Sequence, residues 1–120
     1  MTKVLIADDA AFVRARNSRL LSEAGYEIAE ASNGEEAVRR YGTFRPDVVL
    51  MDITMPVMDG LDALREIRRL DDAARVIMCS ALGQQAVVLQ AIKAGAVDFI
   101  VKPFAPEKLL EALKRHLNRK

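Results

Sequence analysis

The chain has 120 residues, of which 51% are hydrophobic, and its formal net charge is +1. That length suits one domain with one core, so we expect a single domain over residues 1–120. The near-neutral charge gives no electrostatic case for direct binding of nucleic acid, and no apolar run is long enough to span a membrane. The lone Cys79 and a first strand with no signal peptide before it favour a cytoplasmic protein.

Strand-like and helix-like segments alternate along the chain. Strands are predicted near residues 3–8, 26–31, 47–52, 75–80 and 97–102, and helices near 11–24, 34–42, 60–70, 84–94 and 105–118. Asn33 is a predicted N-cap, Gly25 and Gly95 are predicted to end helices in the left-handed conformation, and Pro106 suits the first turn of the last helix. Five consecutive strand–helix units predict an α/β fold with a doubly wound parallel sheet and helices on both faces.

The strands differ in their apolar patterns. The first, third and fourth strands are almost continuously apolar, which is typical of central strands buried on both faces. The segment 26–30 alternates polar and apolar residues and therefore suits an edge strand. On the first helix, Asn17 falls on the apolar stripe, where we expect a tolerated or partly exposed polar residue.

Charged and hydroxyl side chains stand where the predicted strands end. Asp8 and Asp9 follow the first strand, Asp52 follows the third, Ser80 ends the fourth and Lys102 follows the fifth. Parallel sheets bind ligands outside the carboxyl ends of their strands. Clustered carboxylates repel one another unless a cation joins them, and hard oxygen ligands select Mg²⁺ or Ca²⁺. The set contains the groups needed to transfer a phosphoryl group to an aspartate.

Each of these residues also has an ordinary structural explanation. Asp9 could cap the first helix, Lys102 alone would be a solvated lysine, and Ser80 alone would be a hydrogen-bonded hydroxyl at a strand end. Their coincidence at one edge of one sheet favours a functional site.

The sequence resembles the receiver domain of two-component response regulators. The motifs that carry the likeness are Asp8-Asp9, Asp52, Met55-Pro56, Asp59-Gly60, Ser80-Ala81 and Lys102-Pro103-Phe104. Within the family, the chain is most similar to single-domain chemotaxis regulators of the CheY type. The resemblance implies a flavodoxin-like (βα)5 fold with the strand order 2-1-3-4-5.

The resemblance also implies roles at the acidic cluster. Asp52 matches the phosphorylated aspartate of the family. Asp9, Asp52 and the backbone carbonyl of Thr54 match its Mg²⁺ ligands, and Asp8 matches the acid that acts through metal-bound water. The implied cofactor is Mg²⁺.

Further implied roles concern the response to phosphorylation. Lys102 and Ser80 match the pair that senses the phosphate, and Phe99 matches the aromatic switch residue. The Lys102–Pro103 bond is expected to be cis, as in the family. Val88 near Phe99 either forms a small apolar docking site or completes the core, and the sequence does not decide between the two.

The resemblance implies partners as well. A histidine kinase of the CheA type would supply the phosphoryl group, and the target would be the flagellar motor switch or another protein. Thr54 and Leu82 are expected to flank the phosphoryl group. Leu82 cannot orient a water molecule, so we expect slow self-dephosphorylation and a dedicated phosphatase.

Three alternatives remain open from the sequence. A haloacid-dehalogenase-type phosphatase would want a second acid at the place of Thr54. A flavodoxin-like cofactor binder would want a glycine- and hydroxyl-rich loop after the first strand. The chain could also be a receiver domain detached from a DNA-binding output domain.

Overall fold

The computed structural model describes residues 1–117, in which five strands and five helices alternate. The strands are β1 (Lys3–Ala7), β2 (Glu27–Ala31), β3 (Val48–Met51), β4 (Val76–Ser80) and β5 (Asp98–Val101). The helices are α1 (Ala11–Glu23), α2 (Gly34–Phe44), α3 (Gly60–Leu70), α4 (Gln85–Lys93) and α5 (Pro106–Leu117). Residue 118, the predicted last residue of the fifth helix, lies outside the described residues.

The strands form one parallel sheet in the order β2-β1-β3-β4-β5. This order confirms the predicted fold, with β1, β3 and β4 inside and β2 at an edge. Ala7 pairs with Met51, and Ser80 pairs with Val101, so the carboxyl ends of these strands are aligned. The residues that follow the strands are therefore brought to one edge of the sheet.

The sheet separates two hydrophobic clusters. On one face, Leu5, Val49 and Met78 pack with residues of α2, α3 and α4. On the other face, Ile6 and Ile77 pack with residues of α1 and α5. Burial on both faces explains why the inner strands are almost continuously apolar. The resulting core supports the sheet from both faces.

The helix ends follow the predicted local signals. Asn33 caps α2 by accepting a hydrogen bond from the Glu36 backbone N–H at 2.8 Å. Gly25 and Gly95 have φ values of 101° and 108°, which glycine adopts without steric penalty. Asn17 is only 7% exposed and lines a groove between α1 and the start of α5. Within residues 1–117, no helix has both the length and the apolar character to cross a membrane.

Candidate functional site

Three carboxylates meet at the carboxyl edge of the sheet. Asp8, Asp9 and Asp52 each offer an oxygen atom, and these atoms all lie within 4.8 Å of one another. Asp8 is buried, Asp52 is half-buried and Asp9 is exposed. Asp8 and Asp9 follow β1, and Asp52 follows the neighbouring strand β3, so the strand order produces the cluster.

Lys102 is the cation of this edge. Its Nζ donates to Asp8 Oδ2 at 2.6 Å and lies 3.4 Å from Asp52 Oδ2. The other oxygen of each carboxylate accepts a backbone N–H, from Ala10 at 2.9 Å and from Ile53 at 2.8 Å respectively. These bonds orient the two carboxylates, and the one ammonium group pairs with two of the three acids in the cluster.

The surroundings shift the pKa values of the site in a consistent way. Burial raises the pKa of the Asp52 carboxyl, and the Asp8 carboxylate adds to that rise, while Lys102 opposes it. Burial alone would lower the pKa of Lys102. The hydrogen bond to Asp8 and the charges of Asp52 and Asp8 outweigh burial, so the pKa of Lys102 is raised. The raised pKa favours the charged form of Lys102, and the site has more acidic groups than cations.

The loop between β3 and α3 is packed tightly below Asp52. The Gly60 N–H donates to the Ile53 carbonyl at 2.7 Å, and the Gly34 N–H donates to the Met58 carbonyl at 2.9 Å. A Cβ atom on Gly60 would collide with the Asp52 carbonyl, and one on Gly34 would collide with the Met58 carbonyl. Glycine is therefore required at both positions for the loop to reach the site.

The other predicted site residues are spread around this edge. Ser80 is 1% exposed at the end of β4, and its Oγ accepts the Leu82 N–H at 3.1 Å. Thr54 and Leu82 are exposed. The Lys102–Pro103 bond is cis, as the resemblance implied.

Phe99 and Val88 lie away from the carboxylates. Phe99 is half-buried on β5 and packs against the core that α2, α3 and α4 cover. Val88 on α4 is also half-buried, while its neighbour Val87 packs against the same core. The geometry leaves both earlier explanations of Val88 open.

Some features differ from the sequence interpretation. Asp9 does not cap α1, because Ala10 occupies the N-cap position and no side chain caps that helix. Instead, Asp8 accepts the Ala10 N–H. Cys79 is buried, and burial raises the pKa of its thiol to about 12, which confirms a core position.

Sequence reasoning missed two groups of residues. Arg14 donates to the Asp8 carbonyl, a contact that no motif in the sequence indicated. Leu89, Ile92 and Val101 are large apolar residues that are 46–49% exposed on α4 and β5. For the second group, the sequence signal was the presence of Leu89 and Ile92 on the side of α4 that faces away from the core.

The cluster suits a hard divalent cation. Carboxylate oxygens at the ends of the neighbouring strands β1 and β3 are the ligand type that Mg²⁺ prefers, and Mg²⁺ commonly uses one or two carboxylates. Asp8, Asp9 and Asp52 are the residues that could hold the ion. The excess negative charge makes such an ion favourable.

Comparison with known proteins identifies the family. A family model described as "Response regulator receiver domain" matches residues 4–114. The chain therefore belongs to the response regulator receiver domain family. Family membership argues against the phosphatase and cofactor-binding alternatives.

Within this family the chain is CheY-like. It is 57% identical over 114 residues to the chemotaxis protein CheY of Thermotoga maritima, covering 94% of this chain and 95% of that one. It is 55% identical to CheY of Bacillus subtilis, covering 97% and 98% respectively. Among solved structures, the CheX–CheY–BeF3–Mg complex of Borrelia burgdorferi has a TM-score of 0.94 at 39% identity, covering 98% of this chain and 90% of that one.

Proposed function

We propose that the protein is a phosphorylation-activated switch that accepts a phosphoryl group on Asp52 with the help of Mg²⁺. The observation that carries the proposal is the convergence of three carboxylates within 4.8 Å, with Lys102 Nζ 3.4 Å from Asp52 Oδ2. The similarity to CheY proteins supports a role as a signalling switch in chemotaxis rather than as an enzyme. We also propose that it works in the cytoplasm.

In the proposed reaction, a histidine kinase of the CheA type donates the phosphoryl group. An oxygen of Asp52 attacks phosphorus, so an O–P bond forms while the N–P bond of the phosphohistidine breaks. The imidazole nitrogen leaves and takes up a proton from solvent. Bound Mg²⁺ would supply positive charge to the transferring oxygens. Lys102 would exchange part of its contact with Asp8 for a phosphoryl oxygen.

The proposed switch begins with the new charge beside Lys102 and Ser80. A phosphoryl group adds negative charge and strong acceptor oxygens. The Ser80 hydroxyl, which now accepts the Leu82 N–H, would turn to donate to the phosphoryl group. Space near the end of β4 then opens for Phe99 to turn inward, which biases an existing equilibrium between two states.

The proposed readout is a change in the surface formed by α4, β5 and α5. The exposed Leu89, Ile92 and Val101 give this surface more apolar character than Val88 and Phe99 alone. A target helix or peptide could bury them. We propose the flagellar motor switch as the target, without direct binding to nucleic acid or membrane.

The proposed phosphoryl group is long-lived. Water must be oriented by a polar group to attack an acyl phosphate, and Leu82, which is 38% exposed, offers none. A dedicated phosphatase would then shorten the signal, and the solved Borrelia burgdorferi complex pairs a CheY with CheX.

Replacing Leu82 with Asn should accelerate loss of the phosphoryl group about tenfold, measured by following the phosphorylated fraction after donor removal. Leu82→Met is the matched control, and an unchanged rate in Leu82→Asn contradicts this explanation.

The central test is chemical. The protein is incubated with Mg²⁺ and a small phosphodonor, and its intact mass is measured. We expect the wild type to gain the mass of one phosphoryl group and Asp52→Asn to gain none. The same mass gain in Asp52→Asn, or no mass gain in the wild type, would contradict the assignment of Asp52 as the phosphorylated residue.

A further inference from the structure

Arg14, on α1, links the acidic site to the neighbouring edge strand β2. Its Nη1 donates to the Asp8 carbonyl at 2.6 Å, and its Nε donates to Glu30 Oε1 at 2.9 Å. The other Glu30 oxygen accepts the Ser18 hydroxyl at 3.0 Å. The Arg14 side chain is only 19% exposed. The guanidinium group is thus held between β2 and the residue that follows β1.

The Asp8 carbonyl belongs to the peptide unit that joins Asp8 to Asp9. Because that unit is planar, fixing its carbonyl oxygen also fixes the direction in which the Asp9 backbone leaves it. The Asp8 side chain is held separately, by the Ala10 N–H and by Lys102. Asp9 is exposed, so its position relative to Asp52 depends mainly on this backbone.

We propose that Arg14 is a positioning residue that sets the affinity of the acidic site for Mg²⁺ by orienting the Asp8–Asp9 peptide. This inference rests on the proposed function, because Asp9 is a ligand only if the site holds the ion. Groups that orient metal ligands through hydrogen bonds affect metal affinity without touching the ion. Glu30 and Ser18 support Arg14 in this role.

The role requires the shape of arginine and not its charge alone. A guanidinium group presents several donors in a fixed plane, so it can bridge the Asp8 carbonyl and Glu30 together. Lysine offers a single ammonium centre on a flexible stem. Arg14→Lys should therefore keep the charge near the site but lose part of the orientation.

Arg19 provides a matched control on the same helix. It pairs with Glu23 at 3.5 Å, and their side chains are 82% and 70% exposed. Arg19→Ala removes the same formal charge as Arg14→Ala without breaking a contact to the site. The pair of variants separates orientation of the site from net charge.

The test measures Mg²⁺ affinity by calorimetry in the full chain. Arg14→Ala should raise the Mg²⁺ dissociation constant roughly tenfold, as expected for the loss of a group that orients a ligand. Arg14→Lys should raise it by a smaller factor, and Arg19→Ala should leave it within about twofold, because exposed ion pairs contribute little. Wild-type affinity in Arg14→Ala overturns the proposal, and if that variant does not fold, wild-type affinity in Arg14→Lys does so.

A second measurement separates positioning from general destabilisation. The rate of reaction with a small phosphodonor is followed as Mg²⁺ is increased. In Arg14→Ala the Mg²⁺ concentration for half-maximal rate should rise, while the maximal rate stays close to that of the wild type. A lowered maximal rate with an unchanged half-maximal concentration overturns the proposal.

The same experiments distinguish failure of this inference from failure of the proposed function. Formation of a beryllofluoride adduct is followed by ¹⁹F NMR at saturating Mg²⁺. We expect the adduct in both the wild type and Arg14→Ala, because Asp52 is unchanged. If the wild type forms no adduct and binds no Mg²⁺, the proposed function fails. If the wild type does both and Arg14→Ala binds Mg²⁺ equally well, the Arg14 proposal alone fails.

Discussion

The two ends of β5 carry charged clusters that differ in how well their acidic groups are compensated by cations and hydrogen-bond donors. At the carboxyl end, Lys102 faces Asp8 and Asp52 at 2.6 and 3.4 Å, with Asp9 in the same cluster. At the amino end, the Asp98 carboxylate accepts from Arg115 Nη2 and His116 Nε2, both at 2.9 Å, and from the Phe99 N–H at 2.8 Å. The carboxyl end, here called the acidic end, has more acidic groups than cations. The amino end, here called the balanced end, surrounds one carboxylate with hydrogen-bond donors.

The pKa values of Asp52 and Asp98 reflect these different surroundings. Burial raises the pKa of Asp52, and its one neighbouring cation does not reverse the rise. Burial would also raise the pKa of Asp98, but hydrogen bonds from His116, Phe99 and Arg115 outweigh it, so the pKa of Asp98 is lowered. The surroundings thus disfavour the charged form of Asp52 and favour the charged form of Asp98. A carboxyl group with a raised pKa and few compensating partners is typical of a functional site.

The largest expected difference between the two ends is their response to Mg²⁺. At a concentration a hundredfold above the dissociation constant, Mg²⁺ should stabilise the wild type by about 2.7 kcal/mol. Asp52→Asn should lose most of this gain, because it removes one of the proposed ligands. Without metal, the same variant should be more stable than the wild type by about 1 kcal/mol, because a poorly compensated charge is gone. Urea denaturation with and without Mg²⁺ measures both effects.

Asp98→Asn is the control for the metal response. It lies at the other end of β5 and should keep the full gain from Mg²⁺. An equal gain in Asp52→Asn and Asp98→Asn would contradict the assignment of the metal site.

The second prediction concerns stability at the balanced end. Asp98→Asn should lower the free energy of unfolding by about 1–3 kcal/mol, because an amide cannot accept on both sides and leaves a partly buried donor unpaired. Arg115→Ala should lower it by less than about 1 kcal/mol, because the Arg115 side chain is 62% exposed. Chemical denaturation measures both variants. If Asp98→Asn matches the wild type, the Asp98 cluster does not stabilise the fold.

The two ends also differ in what the sequence could predict. The carboxyl-end cluster was predictable, because the Asp8-Asp9 pair, Asp52 and Lys102 each directly follow an apolar run, and parallel strands align their ends. The His116 pair was not predictable, since it joins the last turn of α5 to the first residue of β5, and that contact depends on how the helix packs. The contact of Arg14 with the Asp8 carbonyl was missed for the same reason. The prediction of the strand order rested on the family resemblance and not on the hydrophobic periodicity of the sequence.

The third prediction concerns strain near the carboxyl end. Val57 has a φ of 71°, and the Met58 N–H donates to the Pro56 carbonyl at 2.7 Å across it. This three-residue turn is strained for a β-branched residue. Val57→Asn should raise the free energy of unfolding by about 1 kcal/mol, since Asn tolerates positive φ. Thermal or urea denaturation measures the gain, and Val57→Ile, which keeps the branch, should show none. A less stable Val57→Asn would show that the loop does not store strain there.

The smallest expected effect is a difference in acid sensitivity between the two ends. Because the pKa of Asp98 is lowered in the folded state, its contribution to stability is complete above the ordinary carboxyl value of about 4. The contribution is lost as the pH falls through the lowered folded value. The stability difference between wild type and Asp98→Asn should therefore shrink as the pH falls below about 5.

Urea midpoints measured across this pH range test the effect. Arg115→Ala should reduce the acid sensitivity only in part, because the hydrogen bonds from His116 and Phe99 remain. A difference between wild type and Asp98→Asn that stays constant from pH 5 to pH 3 would mean that Asp98 does not ionise more easily in the folded state. The balanced end of β5 would then lose its electrostatic distinction from the acidic end, and packing alone would have to explain its stability.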